Sequence, residues 1–203
     1  MKIDKFVLGL LNNNTYLVTN EDTKRCFLVD PSTPSAKVAE YIKDKGLCLE
    51  SILITHGHFD HIGGAKYFQQ EFGAKIYMSK DDEDFIDNPL KISRKFDKFD
   101  IDVYIKDNDI INTCGKEIKV IATPGHSLGG VCFLMDDVIF SGDTIFKASY
   151  GRFDLRGGDF SALKESVKKI LDMQGEYLIL SGHGEATCSS FERQYNPVFS
   201  DEF

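Results

Sequence analysis

A chain of 203 residues has room for a single domain, 1–203, with a real hydrophobic core, and none for a second. Apolar residues make up 42% and charged residues 28%, with a net charge of −8, so the overall basic footprint that a phosphate backbone requires is missing and nucleic acid is excluded as an expected partner. No apolar run nears the roughly 20 residues of a membrane span, and Met1-Lys2-Ile3-Asp4-Lys5 has none of the features of a secretory signal. The expectation is a cytoplasmic protein with no membrane partner. Cys26, Cys48, Cys114, Cys132 and Cys188 are odd in number and scattered, with no C-x-x-C pair, which points to reduced thiols rather than disulfides or a thiolate zinc site.

The first thirty residues read as strands at Ile3–Leu8, Thr15–Thr19 and Cys26–Val29, with Asn12-Asn13-Asn14 as a turn between apolar runs. A helix is predicted over Ser35–Lys45, where Val38, Tyr41 and Ile42 share a face and Gly46 ends the run. Ser51–Thr55 reads as a buried strand, Ile62–Phe72 as a helix stopped by Gly73, and Ala74–Met78 as a strand. Lys80–Lys106 is charged but interleaved with Phe85, Phe96 and Phe99; satellite packing is the preferred reading, a lid over a site the alternative. Strands resume at Ile101–Ile105, Asp109–Ile111, Glu117–Ala122, Val131–Met135 and Val138–Phe140, followed by a helix at Phe160–Leu171 and a strand at Tyr177–Leu180. Two groups of strands, each with its helices, predict an α+β architecture of two sheets packed face to face with helices outside.

The run Thr55-His56-Gly57-His58-Phe59-Asp60-His61 sets three imidazoles and a carboxylate at the end of a buried strand. That donor mixture suits zinc, manganese or iron(II), and a turn lets neighbouring side chains converge where a regular strand would alternate them. A lone histidine is more often a core or turn residue, but the chain has five histidines and the other two repeat the context. His126 lies in Pro124-Gly125-His126-Ser127, His183 in Ser181-Gly182-His183-Gly184, and Asp143 in Ser141-Gly142-Asp143-Thr144, each just past a predicted strand. Four strand ends therefore offer ligands from glycine-containing turns, as active-site groups commonly do.

With those motifs in place, the sequence resembles the metallo-β-lactamase superfamily, and within it the short, single-domain glyoxalase II-like hydrolases. Thr55–His61 is similar to the T-H-x-H-x-D-H signature, Pro124–Ser127 to the P-G-H-[ST] turn and Ser141–Phe146 to the S-G-D-T-[IL]-F segment. The resemblance implies a four-layer αββα sandwich with the site at one edge of both sheets. It implies that His56, His58 and His126 bind one divalent ion, that Asp60, His61 and His183 bind a second, and that Asp143 bridges them. Zinc is the first expectation, iron or manganese the alternatives.

A water shared by two cations roughly 3.5–4 Å apart is deprotonated near neutral pH, so no Ser or Cys nucleophile is needed. Asp60 is then the candidate that orients the nucleophile. Ser127 and Thr144 are candidates for holding His126 and Asp143, with turn capping as the competing reading. Tyr150 and Arg152 resemble the segment by which glyoxalase II relatives hold a glutathione carboxylate; an internal ion pair with Asp154 or Asp159 competes for Arg152. The implied activity is hydrolysis of a small-molecule thioester such as S-lactoylglutathione. Alternatives on the same framework are a lactone hydrolase and a persulfide dioxygenase with one iron at His56, His126 and Asp143, whereas the β-lactamase branch is disfavoured because other ligands stand there in place of the bridging Asp143. Because the resemblance is to the short branch, the helical domain that completes the glutathione site in longer relatives is not expected after His183.

Overall fold

The computed structural model describes residues 1–88 and 96–200. The strands β1 (Lys2–Leu8), β2 (Asn13–Asn20), β3 (Arg25–Val29), β4 (Cys48–Leu53), β5 (Lys75–Ser79) and β6 (Val103–Ile105) form one sheet in chain order. Pairing is antiparallel from β1 to β3 and parallel from β3 to β6. Parallel neighbours need crossovers, supplied by α1 (Ala36–Asp44) and by α2 (Phe59–Ile62) with α3 (Ala65–Phe72); α4 (Asp84–Asp87) lies between β5 and β6.

A second sheet contains β7 (Ile110–Thr113), β8 (Lys116–Ala122), β9 (Val131–Met135), β10 (Val138–Gly142), β13 (Leu178–Ser181) and β14 (Thr187–Cys188), in the order β14-β13-β10-β9-β8-β7. Its one parallel pair among the described residues, β10 with β13, is bridged by the small hairpin β11 (Ile145–Phe146) and β12 (Ser149–Tyr150) and by α5 (Phe160–Leu171). The helix α6 (Ser189–Tyr195) follows β14.

Strand alternation sorts the apolar residues into three cores. In β2 and β3, Leu17, Cys26 and Leu28 pack with Val38, Ile42 and Phe68 of the helices, while Tyr16, Val18, Phe27 and Val29 face the other sheet. In β8 to β10, Val120, Phe133 and Phe140 point into the intersheet core, and Ile121, Cys132 and Ile139 point back to Leu163, Val167 and Ile170 of α5. Period-two strands buried on both faces thus produce helix, sheet, sheet and helix in succession, the expected αββα sandwich.

Several boundaries move for local reasons. The helix expected at Ile62–Phe72 is two helices, because Gly63 and Gly64 pack their α-carbons against the carbonyls of Ser32, Thr33 and Pro31, where a side chain cannot fit. Asn13 and Asn14 are not turn residues: both are buried in β2, bonded to groups around His61 and His183. The hairpin β11–β12, β14 and α6 are too short to leave a periodic signal. In the Lys80–Lys106 stretch, Phe85 and Phe99 are buried and Phe96 packs on the helix-side core; the lid alternative includes residues 89–95, which lie outside the described residues.

All five cysteines are free. Burial pushes the thiols of Cys26 and Cys114 up to about 12 and that of Cys132 up to about 11, whereas Cys48 is exposed and Cys188 partly so. Above the ordinary thiol range, about 8.5, the unfolded chain ionises while the folded chain keeps these protons, so stability falls as pH rises. The expected outcome is rapid labelling of Cys48 and Cys188 at pH 8, labelling of the other three only on unfolding, and a urea midpoint that declines above about pH 9.

Candidate metal centre

Five strand ends meet at one edge of the sandwich. His56 follows β4, and the chain turns at Gly57 so that His58 caps α2, which carries Asp60 and His61. His126 follows β8, Asp143 follows β10 and His183 follows β13. Asp30, with φ of +48°, follows β3. The left-handed conformation, which Asp tolerates better than most residues, kinks the chain there.

The seven residues singled out in the sequence come together. His58 Nδ1 and His56 Nε2 lie 2.9 and 3.2 Å from His126 Nε2. Ligand nitrogens in a tetrahedral zinc site, about 2.0–2.1 Å from the ion, stand about 3.3 Å from one another. His183 Nε2 is 3.1 Å from Asp60 Oδ2, and His61 Nε2 is 3.7 Å from the same oxygen. Asp143 lies between the two groups: Oδ1 is 3.3 Å from His61 Nε2, and Oδ2 is 3.6 Å from His126 Nε2 and 3.7 Å from His183 Nε2. Three overlapping sets, His56–His58–His126, His56–His61–Asp143 and Asp60–His61–His183, have donor atoms within 4.8 Å of one another.

The outer nitrogens decide what the inner ones offer. His126 Nδ1 donates to the Arg152 carbonyl at 2.7 Å, His183 Nδ1 to the Leu11 carbonyl at 3.0 Å and His61 Nδ1 to Asp30 Oδ2 at 2.8 Å. His56 Nδ1 lies 3.1 Å from Thr55 Oγ1, whose own proton goes to Asp30 Oδ2 at 2.6 Å. Each bond puts the proton on Nδ1 and leaves the Nε2 lone pair facing the centre, the tautomer that a metal ligand needs.

The electrostatics divide the cluster into two imidazoles held neutral and two that the carboxylates draw towards protonation, positive charge that a bound cation would replace. Burial, reinforced by the neighbouring imidazoles, holds His56 far below the ordinary histidine range and His58 at about 3, so both are neutral donors. Burial works against ionising Asp60 and Asp143, but the imidazoles around them, His61 foremost, outweigh it and hold both carboxyls below their ordinary value. Burial likewise opposes charge on His61 and His183 and is overcome by the adjacent carboxylates, which raise both. Among the described residues four buried side-chain polar atoms lack a hydrogen-bond partner, and three of them, Asn13 Oδ1, His58 Nε2 and Asp143 Oδ1, are at this cluster. Converging lone pairs with so little else to satisfy them fit a bound divalent cation.

The other candidates lie differently. The Ser127 hydroxyl donates to Asp82 at 2.7 Å and the Thr144 hydroxyl pairs with Thr123 at 3.0 Å, so neither bonds its neighbouring ligand, His126 or Asp143, directly. Arg152 lines the cavity over the cluster, but its guanidinium grips Asp154 through two 2.8 Å bonds, the competing ion-pair reading. Tyr150 packs its ring on Phe160, beside the α5 core. Sequence reasoning missed Asp30, although it too follows a strand end, and missed Asn13, Leu11 and Asp82, which no local pattern marks. Gly182 was seen only as a turn residue; a Cβ there would stand 2.3 Å from Asp143 Oδ1 and 2.6 Å from His61 Cε1, so the ligands close directly on its backbone.

A sandwich of this kind with a His/Asp cluster at its edge defines a metal-dependent hydrolase class. The chain belongs to the metallo-beta-lactamase superfamily, whose family pattern matches residues 8–183. It is 32% identical to the probable metallo-hydrolase YqgX of Bacillus subtilis (strain 168), over 98% of each chain. It is 29% identical to the hydroxyacylglutathione hydrolase GloC of Haemophilus influenzae (strain ATCC 51907 / DSM 11121 / KW20 / Rd), over the whole of both. Among solved structures, the BLEG-1 B3 metallo-beta-lactamase superposes with a TM-score of 0.91 at 29% identity, over 98% of this chain and 100% of that one.

Asp30 accepts bonds from Thr55 N at 2.8 Å, Thr55 Oγ1 and His61 Nδ1, all buried. Asp30→Ala strands three donors, and a loss of about 2–4 kcal/mol is expected for the metal-free protein, read as a lower urea midpoint; an unchanged midpoint contradicts this account of the buried network.

Proposed function

We propose that the chain hydrolyses a small thioester, S-lactoylglutathione or a related acyl thioester, in the cytoplasm. It does so with two divalent ions, zinc in the first instance, held by His56, His58 and His126 and by Asp60, His61 and His183, with Asp143 shared. The observation that carries this reading is the meeting of both donor sets beneath one cavity of about 300 Å³, lined by Leu11, Phe59, Phe146 and Leu155 above His58, Asp60, His126, Asp143 and His183. Ions bound there supply Lewis acidity, lowering the pKa of a water towards neutrality and polarising a carbonyl oxygen.

The chain's own residues then set the reaction. Asp60, ionised and facing the cavity, accepts a hydrogen bond from the attacking water and orients it. The apolar wall excludes bulk solvent and so strengthens every charge interaction at the floor. Among the described residues no Ser, Thr or Cys lines the cavity; the hydroxyls of Ser127 and Thr144 bond Asp82 and Thr123, and burial holds the Cys132 thiol protonated.

The alternative oxygenase needs only His56, His126 and Asp143, and the convergence of Asp60, His61 and His183 favours the two-ion hydrolase over it. The name of the H. influenzae relative supports a thioester, and that of BLEG-1 adds a β-lactam to the substrates worth testing. Purified protein loaded with zinc, manganese or iron is expected to turn over S-lactoylglutathione or another acyl thioester faster than lactones, a β-lactam or glutathione persulfide. No thioester turnover with any metal overturns the proposal. His58→Ala and Asp143→Ala are each expected to lower the thioester kcat by about a hundredfold or more while retaining a native circular dichroism spectrum.

A further inference from the structure

The segment between β5 and β6 contains a carboxylate that this chemistry does not use. Asp82 ends the short 3₁₀ turn Lys80–Asp82 and is fully buried. Its Oδ2 accepts from Gly57 N at 2.9 Å and from Ser127 Oγ at 2.7 Å, and its Oδ1 accepts from Gly129 N at 2.7 Å. Gly57 stands between His56 and His58, while Ser127 and Gly129 follow His126. One side chain therefore ties together two loops that leave different sheets and that carry all three imidazoles of the first set.

The packing leaves both loops little freedom to move off it. A Cβ on Gly57 would lie 2.8 Å from the Asp82 carbonyl oxygen and 2.8 Å from Phe85, and one on Gly129 would lie 2.7 Å from Asp82 N. Phe85 sets its ring edge-on to His58, centroids 5.1 Å apart, and Arg156 lies 4.2 Å from the Phe85 centroid while pairing with Asp84 at 3.0 Å.

We infer that Asp82 is a positioning residue for the first ion: by clamping the Gly57 and Gly129 backbones it fixes His56 and His58 against His126 at ligating separation. The inference rests on the metal-binding reading proposed above and is confined to that set, because the outward bonds of His61 and His183 go to Asp30 and to the Leu11 carbonyl and neither goes to Asp82. Asp82→Asn keeps the shape but replaces one acceptor oxygen by an NH₂. Whichever way that amide turns, it faces the backbone N–H of Gly57 or of Gly129, and one ligand loop is released.

The test is an equilibrium titration of the purified, metal-free full chain with Co²⁺ against a competing chelator, following the visible spectrum, on wild type, Asp82→Asn and Ser127→Ala. Wild type is expected to take two ions. Asp82→Asn is expected to weaken one step about 10–100-fold, the usual cost of losing a partner that orients ligands, to shift the absorption bands of that step, and to leave the other step unchanged. Ser127→Ala, which removes one of the three donors, is expected to weaken the same step about fivefold, the worth of one ordinary hydrogen bond. A merely structural Asp82 predicts a lower melting temperature with both steps unchanged or weakened alike, and either result overturns the inference. Should Asp82→Asn fail to fold, Ser127→Ala decides, and wild-type affinity at both steps overturns it. A wild-type chain that binds no ion sinks the metal-binding reading first, and this inference with it.

Discussion

The cluster depends on one constraint: an imidazole can present a lone pair inward only if its proton is held outward. Four of the five histidines in this chain meet that requirement through Nδ1, on the carbonyls of Leu11 and Arg152, on Asp30 directly, and on Asp30 through Thr55. The fifth, His58, reverses the arrangement, with Nδ1 towards His126 and Nε2 buried without a partner. Charge-assisted bonds to a buried carboxylate are the strongest of these restraints, which makes Asp30 the point at which the inward geometry of His56 and His61 is jointly set.

The same constraint explains why the site sits at the seam of the sandwich. Asp30, His56 and His61 hang from the first sheet; His126, Asp143 and His183 hang from the second. Contacts between the two halves run through backbone groups that strand ends expose: Asn14 N bonds the Gly182 carbonyl at 2.7 Å, and Val131 N bonds the Thr55 carbonyl at 2.9 Å. Sheets packed through interdigitating side chains resist sliding, because cores are dense and shift only by discrete repacking. Ligands contributed by both are therefore held to a fixed separation by the whole intersheet core, in which Tyr16 and Phe27 pack edge-on against Phe140.

Much of this was legible in the sequence, and the reason is specific. Glycine-containing turns after apolar runs mark strand ends, so the sequence pattern groups His126, Asp143 and His183 with the His56–His61 run, and α5 and β9 have their expected bounds. What was not legible is whatever acts across the fold. Asp82 sits in Lys80-Asp81-Asp82-Glu83-Asp84, where nothing local distinguishes the one buried acid from its solvated neighbours. Carbonyl acceptors such as those of Leu11 and Arg152 carry no residue signature at all. Asparagine is a turn former in isolation, whereas the amides of Asn13 and Asn14 are buried here against His61 and the carbonyls that flank His183.

The cavity follows from the same elements. Leu11 contributes a side chain to its wall and a carbonyl to His183, and the turn between β1 and β2 thereby couples the shape of the entrance to the orientation of a donor on its floor. Glu192, fully buried in α6, does the corresponding work opposite: it accepts from Ala148 N at 3.0 Å, from Thr187 Oγ1 at 2.6 Å and from Asn196 Nδ2 at 2.7 Å, anchoring the β11–β12 hairpin from which Phe146 enters the cavity. Polar anchors set the floor and apolar side chains carried on the same turns set the walls. A change in either turn alters both together, so in this fold the fit of a substrate's apolar part and the alignment of the groups beneath it are not independent variables.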